Sequence, residues 1–203
     1  MARPESISDA DLIVRIIGAF RARGFAGTSL ADLAQAAGLT KAALYHRFPG
    51  GKDAMAAAAL DEAWRVVETQ ALAPLEGSGP LRACVAAMLD ALDLFYARGD
   101  SACLIDVFSM ATAPPALRES VSRGANRWIE ALAKALGQSL SDDVALARAR
   151  DAVMRIQGAL VLCRALGDTG AFRDLLERLP DELTAPDAGG HHGVRNDGSR
   201  DLS

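Results

Sequence analysis

GFAGTSLADLAQAAGLTKAALYHRFPGGKD occupies residues 24–53, and its punctuation is that of two short helices around a tight turn. Ser29 with Asp32 has the spacing of a capping box, in which a hydroxyl and an acid each satisfy an orphan amide at a helix start. Leu30, Leu33, Ala34 and Ala37 then supply a short apolar face that stops at Gly38. Gly38-Leu39-Thr40 forms the turn, Thr40 caps the next helix, and residues 41–47 continue with helix formers until Phe48-Pro49-Gly50-Gly51 breaks them. Two short helices joined by a Gly-containing turn make a helix-turn-helix. Upstream, Ser8 and Asp11 repeat the capping spacing, and Ile13, Ile16, Ile17 and Phe20 share one face of a first helix over 9–23. Gly24 can adopt the left-handed backbone that ends it.

Downstream the chain reads as helix throughout. Ala (41) and Leu (26) make up about a third of the 203 residues, and these two lose least on entering a helix. Helices are expected over 52–70, 81–98, 102–110, 116–136 and 142–166, with a loose connection at 74–80. The helix over 142–166 turns apolar nearly all round after Met154, the mark of burial on more than one side. Phe172, Leu175, Leu176 and Leu179 stripe a last helix that Pro180 should end. No segment alternates with period two, so the fold is all-α with about nine helices. The expected organisation is a three-helix DNA-binding domain over 1–50, a helical ligand-binding and dimerisation domain over 51–183, and a disordered tail over 184–203. Cys84, Cys103 and Cys163 are odd in number and sit in apolar runs, so they read as reduced core residues of a cytoplasmic protein. The polar amino terminus carries no signal-peptide core, and no apolar run is long enough to span a bilayer.

A helix fits the B-DNA major groove, and its first residues reach base edges while the preceding helix braces on the backbone. Thr28, Ser29 and Thr40 offer hydroxyls at helix starts to phosphates. Lys41 brings a long cation, Ala42 and Ala43 permit close approach, and Tyr45, His46 and Lys52 extend the surface with donors. The net charge of -4 at first argues against nucleic acid. Divided at residue 53, however, the first part holds seven Lys/Arg against five acids and the remainder 15 against 21. A mildly cationic head sits on an acidic body, and only the head should touch DNA.

Residues 12–60 resemble the DNA-binding domain of TetR-type transcriptional regulators. The resemblance lies in Gly24-Phe25, Thr28-Ser29, Ala37-Gly38, Leu44-Tyr45, Phe48 and Lys52 at fixed offsets. Leu-Tyr-His-Arg-Phe-Pro-Gly-Gly-Lys, with Cys103-Leu104 further on, is similar to the LmrA/YxaF-like branch. The resemblance implies a homodimer that reads a palindromic operator, a carboxy-terminal domain that binds a small molecule and then releases DNA, and dimer contacts from the last two helices. The apolar surplus of Val153, Ile156, Leu160, Cys163, Phe172, Leu175, Leu176 and Leu179 points to the same dimer face.

A ligand pocket should be chiefly apolar with a few polar groups. Met88, Leu92, Phe95, Cys103, Val107, Phe108, Met110, Trp128, Met154 and Gln157 are its candidates, each of them weighed against plain core. Asp106 raises the same question as Gln157, a polar group needing a partner. The expected effector is a small uncharged hydrophobic or aromatic molecule. Gly50-Gly51-Lys52 lacks the spacing of a phosphate-binding loop. Cys103 reads as an inert small hydrophobe and His191-His192 as tail composition, so neither a metal nor a cofactor is expected. No catalytic constellation can be assembled, which excludes an enzyme. A ligand-independent regulator, an activator and a helical protein-interaction module remain as alternatives.

Overall fold

The computed structural model describes residues 7–187, which form nine α-helices joined by short turns, with no strand among the described residues. The first helix, α1, spans Asp9–Gly27; Ser8 Oγ accepts the Asp11 amide at 3.1 Å and donates to the Asp11 carboxylate at 2.6 Å. Gly24 breaks α1 with φ 70 and ψ 171, a backbone open to glycine but outside the left-handed helical well. One further turn, Phe25 to Gly27, follows the break. In α2, Leu30–Ala37, the capping box is complete: Asp32 N donates to Ser29 Oγ at 3.2 Å, and Ser29 N to Asp32 Oδ2 at 2.8 Å. Gly38 ends α2 in the left-handed conformation (φ 68, ψ 28), and Thr40 Oγ1 caps α3, Lys41–Arg47, through the Ala43 amide at 3.1 Å.

The next helix, α4, spans Gly51–Val66 and widens into a π-helical turn at Val67–Leu72, then a 3-10 turn at Ala73–Glu76. A regular helix to residue 70 was the expectation; in the wider turn Val67, Ala71 and Leu72 all face the core. The helix α5, Leu81–Phe95, stops three residues short of the expected 98, because Ala97 (φ 48), Arg98 (φ 57) and Gly99 (φ 94) all take positive φ. The remaining helices are α6 (Leu104–Ser109), α7 (Pro115–Leu136), α8 (Asp142–Leu166) and α9 (Gly170–Thr184).

Pro180 lies inside α9 and does not end it. Proline forfeits one backbone bond, but Leu179, Pro180 and Leu183 are buried together, so packing carries the helix past it. Arg148 on α8 takes the Leu183 carbonyl at 3.0 Å, and Thr184 Oγ1 donates to the Pro180 carbonyl at 2.7 Å. Thr184, where the tail was expected to begin, is thus the last helical residue; the rest of that tail from 188, with His191 and His192, lies outside the described residues, as do residues 1–6.

Two apolar cores result. The first joins α1–α4 to α6 and the start of α7, around Leu12, Ile16, Phe20, Leu33 and Leu44. Phe108 of α6 completes an aromatic trio within it, its ring 5.4 Å from Phe20 and 6.1 Å from Phe25. The second core joins α5, α7, α8 and α9 around Met88, Leu92, Trp128, Ile156, Leu160 and Phe172.

Between the two, the Trp64 indole of α4 packs against α7 at Gly124. A Cβ built at Gly124 would stand 1.9 Å from Trp64 Cε2, so only glycine admits the ring. Gly124→Ala should therefore destabilise the chain by about 1–3 kcal/mol despite its better helix propensity, through displacement of the indole. Chemical denaturation with Trp fluorescence checks this, and an unchanged midpoint would contradict the wedge.

Candidate nucleic-acid interface and effector cavity

The outer surface of the head is set by the register of α3. Leu44 is fully buried and turns one side of the helix into the core, while Lys41, Ala42, Tyr45 and His46 are exposed and Ala43 is half-buried. Tyr45 is 46% exposed, a large aromatic held outward beside Gly51, whose built Cβ would lie 3.6 Å from Tyr45 Cε1. Ser29 and Thr40 are exposed at the starts of α2 and α3, their hydroxyls already engaged in capping.

Two expected phosphate ligands are occupied elsewhere. Thr28 is buried, and its hydroxyl donates to the Gly24 carbonyl at 2.6 Å, closing the turn after α1. Lys52 Nζ donates to the Phe25 carbonyl at 3.0 Å and sits 4.3 Å from the Phe25 ring centroid, tying α4 to the same turn. Other cations of the head also brace it: Arg15 donates to the Ala37 carbonyl at 3.2 Å, Arg47 reaches Asp9 at 3.2 Å, and Arg23 pairs with Asp32. Among the described residues of the head, Lys41 and Arg21 are the basic side chains without an acid or carbonyl partner. Lys41 faces outward on α3, whereas Arg21 faces inward from α1.

Arg21 lines a cavity of about 540 Å³ between α1, α4 and the segment after α5. Val14, Ile17, Ala63, Val66, Phe95 and Ala102 make most of its wall, with Glu62 and Asp100 as its acids. The guanidinium lies over the Phe95 ring, 4.9 Å from its centroid, while Nε and Nη2 are buried without a hydrogen-bond partner. Burial holds its pKa below the ordinary arginine value. A cation continuing the Val14, Ile17, Gly18 face of α1 is the sequence signal for this cavity.

A second cavity, about 240 Å³, lies between α6 and α8 and is lined by Cys103, Asp106, Gln157, Val161 and Arg164 among others. Asp106 finds its partner in Arg164. The Gln157 amide faces the Tyr96 hydroxyl, yet its buried Nε2 makes no hydrogen bond of normal length. Tyr96 Oη and Cys103 Sγ are 3.3 Å apart, and burial raises the pKa of both, which keeps the thiol protonated and poorly reactive.

Of the expected pocket residues, Phe95, Cys103 and Gln157 line cavities. Met88, Leu92 and Trp128 are fully buried in the second core, Val107 and Phe108 belong to the first, and Met110 and Met154 are 61% and 65% exposed. Val153, Ile156, Leu160, Cys163, Phe172, Leu175 and Leu179 pack in the chain's own core, with the partly buried Leu176 against them. Nor is α8 buried on several sides within one chain: Met154, Val161, Leu162 and Leu166 are exposed. Among the described residues no helix is long and apolar enough to cross a membrane, and no three His, Cys, Asp or Glu gather as a metal site.

Residues 15–59 match the model of the bacterial regulatory proteins of the tetR family. The chain is 30% identical over 116 residues to the HTH-type transcriptional regulator CymR of Pseudomonas putida, a match covering 57% of this chain and 57% of that protein. A TetR transcriptional regulator from Legionella pneumophila superposes with a TM-score of 0.78 at 17% identity, covering 89% of this chain and 99% of its own. A TetR-family regulator from Agrobacterium tumefaciens superposes with a TM-score of 0.74 at 18% identity, over 87% and 97%. At these identities the structural likeness is one of fold. Residues 15–59 are thus similar to the bacterial regulatory proteins of the tetR family, and the described chain shares the fold of such regulators.

Proposed function

We propose that the chain is a cytoplasmic, dimeric transcriptional repressor that leaves a palindromic operator when a small molecule binds. The observation that carries this reading is the outer face of α3, where Lys41, Ala42, Tyr45 and His46 are exposed on a short, doubly capped helix-turn-helix. Lys41 and Tyr45 reach bases or phosphates, Ser29, Thr40, Ala43 and His46 border them, and Lys52 acts by holding the turn. Residues 1–50 are the reading head and 51–183 the body, as in the LmrA/YxaF-like branch that the Leu44 to Lys52 segment resembles.

A stripe of exposed apolar and small residues on α8, Met154, Gly158, Val161, Leu162, Ala165 and Leu166, supports the dimer. Its i, i+4, i+7, i+11 spacing is that of a helix face awaiting another helix. Added Cβ atoms at Gly158 would meet nothing within 4 Å, so a partner helix can come close there. Leu162→Glu with Leu166→Glu should convert a dimer to a folded monomer in sedimentation; a dimer that survives would place the interface elsewhere.

In the dimer two α3 helices address successive major-groove faces about 34–36 Å apart. Phe108 of α6 is rooted in the head's core and Trp64 of α4 is seated on α7, so a shift of the body tilts the head. Ligand contributes only its differential affinity for the two arrangements. In vitro transcription from the bound promoter tests the sign of regulation: added protein should lower the transcript and an effector should restore it. A transcript raised by the protein would make it an activator.

A further inference from the structure

The helix α6 holds one charged residue, Asp106, and it reaches across the cavity of about 240 Å³ to pair with Arg164 of α8. The two side chains line that cavity from opposite walls, and both are open to solvent, the carboxylate 46% and the guanidinium 34% exposed. Ile105, Leu160 and Val161 supply apolar wall beside them, and at Gly158 an added Cβ would meet nothing within 4 Å. An ion pair this accessible contributes little stability, so the two groups part at small cost if each regains an opposite charge. A guanidinium receives a carboxylate on its paired N–H donors, and a carboxylate receives an ammonium through charge-assisted hydrogen bonds. Arg164 already donates to a carboxylate in this space, the one that Asp106 supplies. An anionic ligand would set a second negative charge beside Asp106, and a cationic one would face Arg164 with like charge. A molecule with a carboxylate and an ammonium close together, and an apolar group beside them, satisfies both walls at once. The space is smaller than the cavities that hold drug-sized molecules, which suits a ligand as small as an amino acid.

We infer that the α6–α8 cavity binds an apolar α-amino acid as its zwitterion, the carboxylate on Arg164, the ammonium on Asp106 and the side chain against Ile105, Leu160 and Val161. Such a ligand keeps the zero net charge expected of the effector but carries a charge of each sign. Gly158 and Val161 also belong to the exposed stripe of α8, so the second chain of the dimer proposed above would border the mouth and shield the ligand from water. Asp106 stands two residues before Phe108, which is rooted in the head's core, so a ligand that parts Asp106 from Arg164 moves α6 and with it the head. That movement rests on the ligand-responsive reading above, whereas binding itself does not.

Calorimetric titration of the full-length chain with L-leucine, with its α-hydroxy analogue and with L-leucinamide tests the site. The second probe lacks the ammonium and the third lacks the carboxylate. Leucine should bind once per chain, at least about tenfold more tightly than either single-charge probe. Asp106→Asn should erase the preference over the hydroxy analogue and keep that over leucinamide, and Arg164→Gln should do the reverse. Both side chains are partly exposed, so each variant should keep its helical circular dichroism. The order of the three probes on the unaltered chain tests the site without any substitution. No heat from leucine at millimolar concentration, equal affinity for the three probes, or preferences that survive both substitutions would overturn the assignment. In a gel shift, leucine should dissociate the operator complex. If leucine binds with the two-charge preference yet leaves that complex intact, the site stands and release by this ligand fails. If another compound dissociates the complex while leucine does not bind, the regulatory reading stands and the site fails.

Discussion

Phe108→Ala should cost about 3–5 kcal/mol of unfolding free energy, with the loss felt first in the DNA-binding head. The residue is fully buried, and its ring makes edge contacts with Phe20 at 5.4 Å and Phe25 at 6.1 Å. Those two rings carry α1 and the turn into α2, so removing the third leaves a void between the head and α6 that neighbouring helices can only partly close. Hydrogen exchange should therefore quicken in α1, α2 and α3 more than in α8 and α9. A loss under about 1 kcal/mol, or exchange that quickens only in the body, would show that the head's core closes without α6.

The double substitution Lys41→Ala and Tyr45→Ala should have the opposite profile. Neither side chain has a hydrogen-bond or ion-pair partner within the described head, and Tyr45 is 46% exposed, so unfolding free energy should move by no more than about 0.5 kcal/mol. Operator affinity should fall by at least about a hundredfold, since a cation and a large donor leave the recognition face together. A gel-shift titration at fixed salt measures the effect. Unchanged operator affinity would remove α3 from the interface.

The helix-turn-helix was legible because its determinants are local. Caps at Ser8, Ser29 and Thr40 and the glycine at 38 act within four residues of themselves, and each takes the place in the structure that its spacing implies, whereas Gly24 kinks α1 instead of ending it. Thr28 and Lys52 show where that legibility ends. Both look like phosphate ligands by type and position, yet the fold of the turn after Gly24 brings carbonyls to them and uses their donors internally. Phe108 reads as a pocket residue until α6 is seen to dock against the head, and Pro180 reads as a stop until burial of Leu183 pulls α9 through it. Periodicity finds an apolar face but not its partner. On α8 the more regular apolar face packs within the chain, and the stripe left outside runs from Met154 to Leu166.

The same long-range packing explains how an acidic chain can be read as a DNA binder. Most of the head's positive charge braces its own helices, which leaves Lys41 as the unpaired cation on the outer face among the described residues; weak non-specific affinity is the expected result. On the proposed reading, binding would rest on two heads acting together on paired half-sites, with a shallow salt dependence because few cations meet phosphate.

A nuclease footprint of the wild-type chain on the DNA flanking its own gene tests the central claim most directly. Protection of an inverted repeat whose half-sites are centred about one helical turn apart, lost with Lys41→Ala and Tyr45→Ala, is the expected result. Absence of protection at any salt concentration, or the same footprint from the double variant, would contradict it.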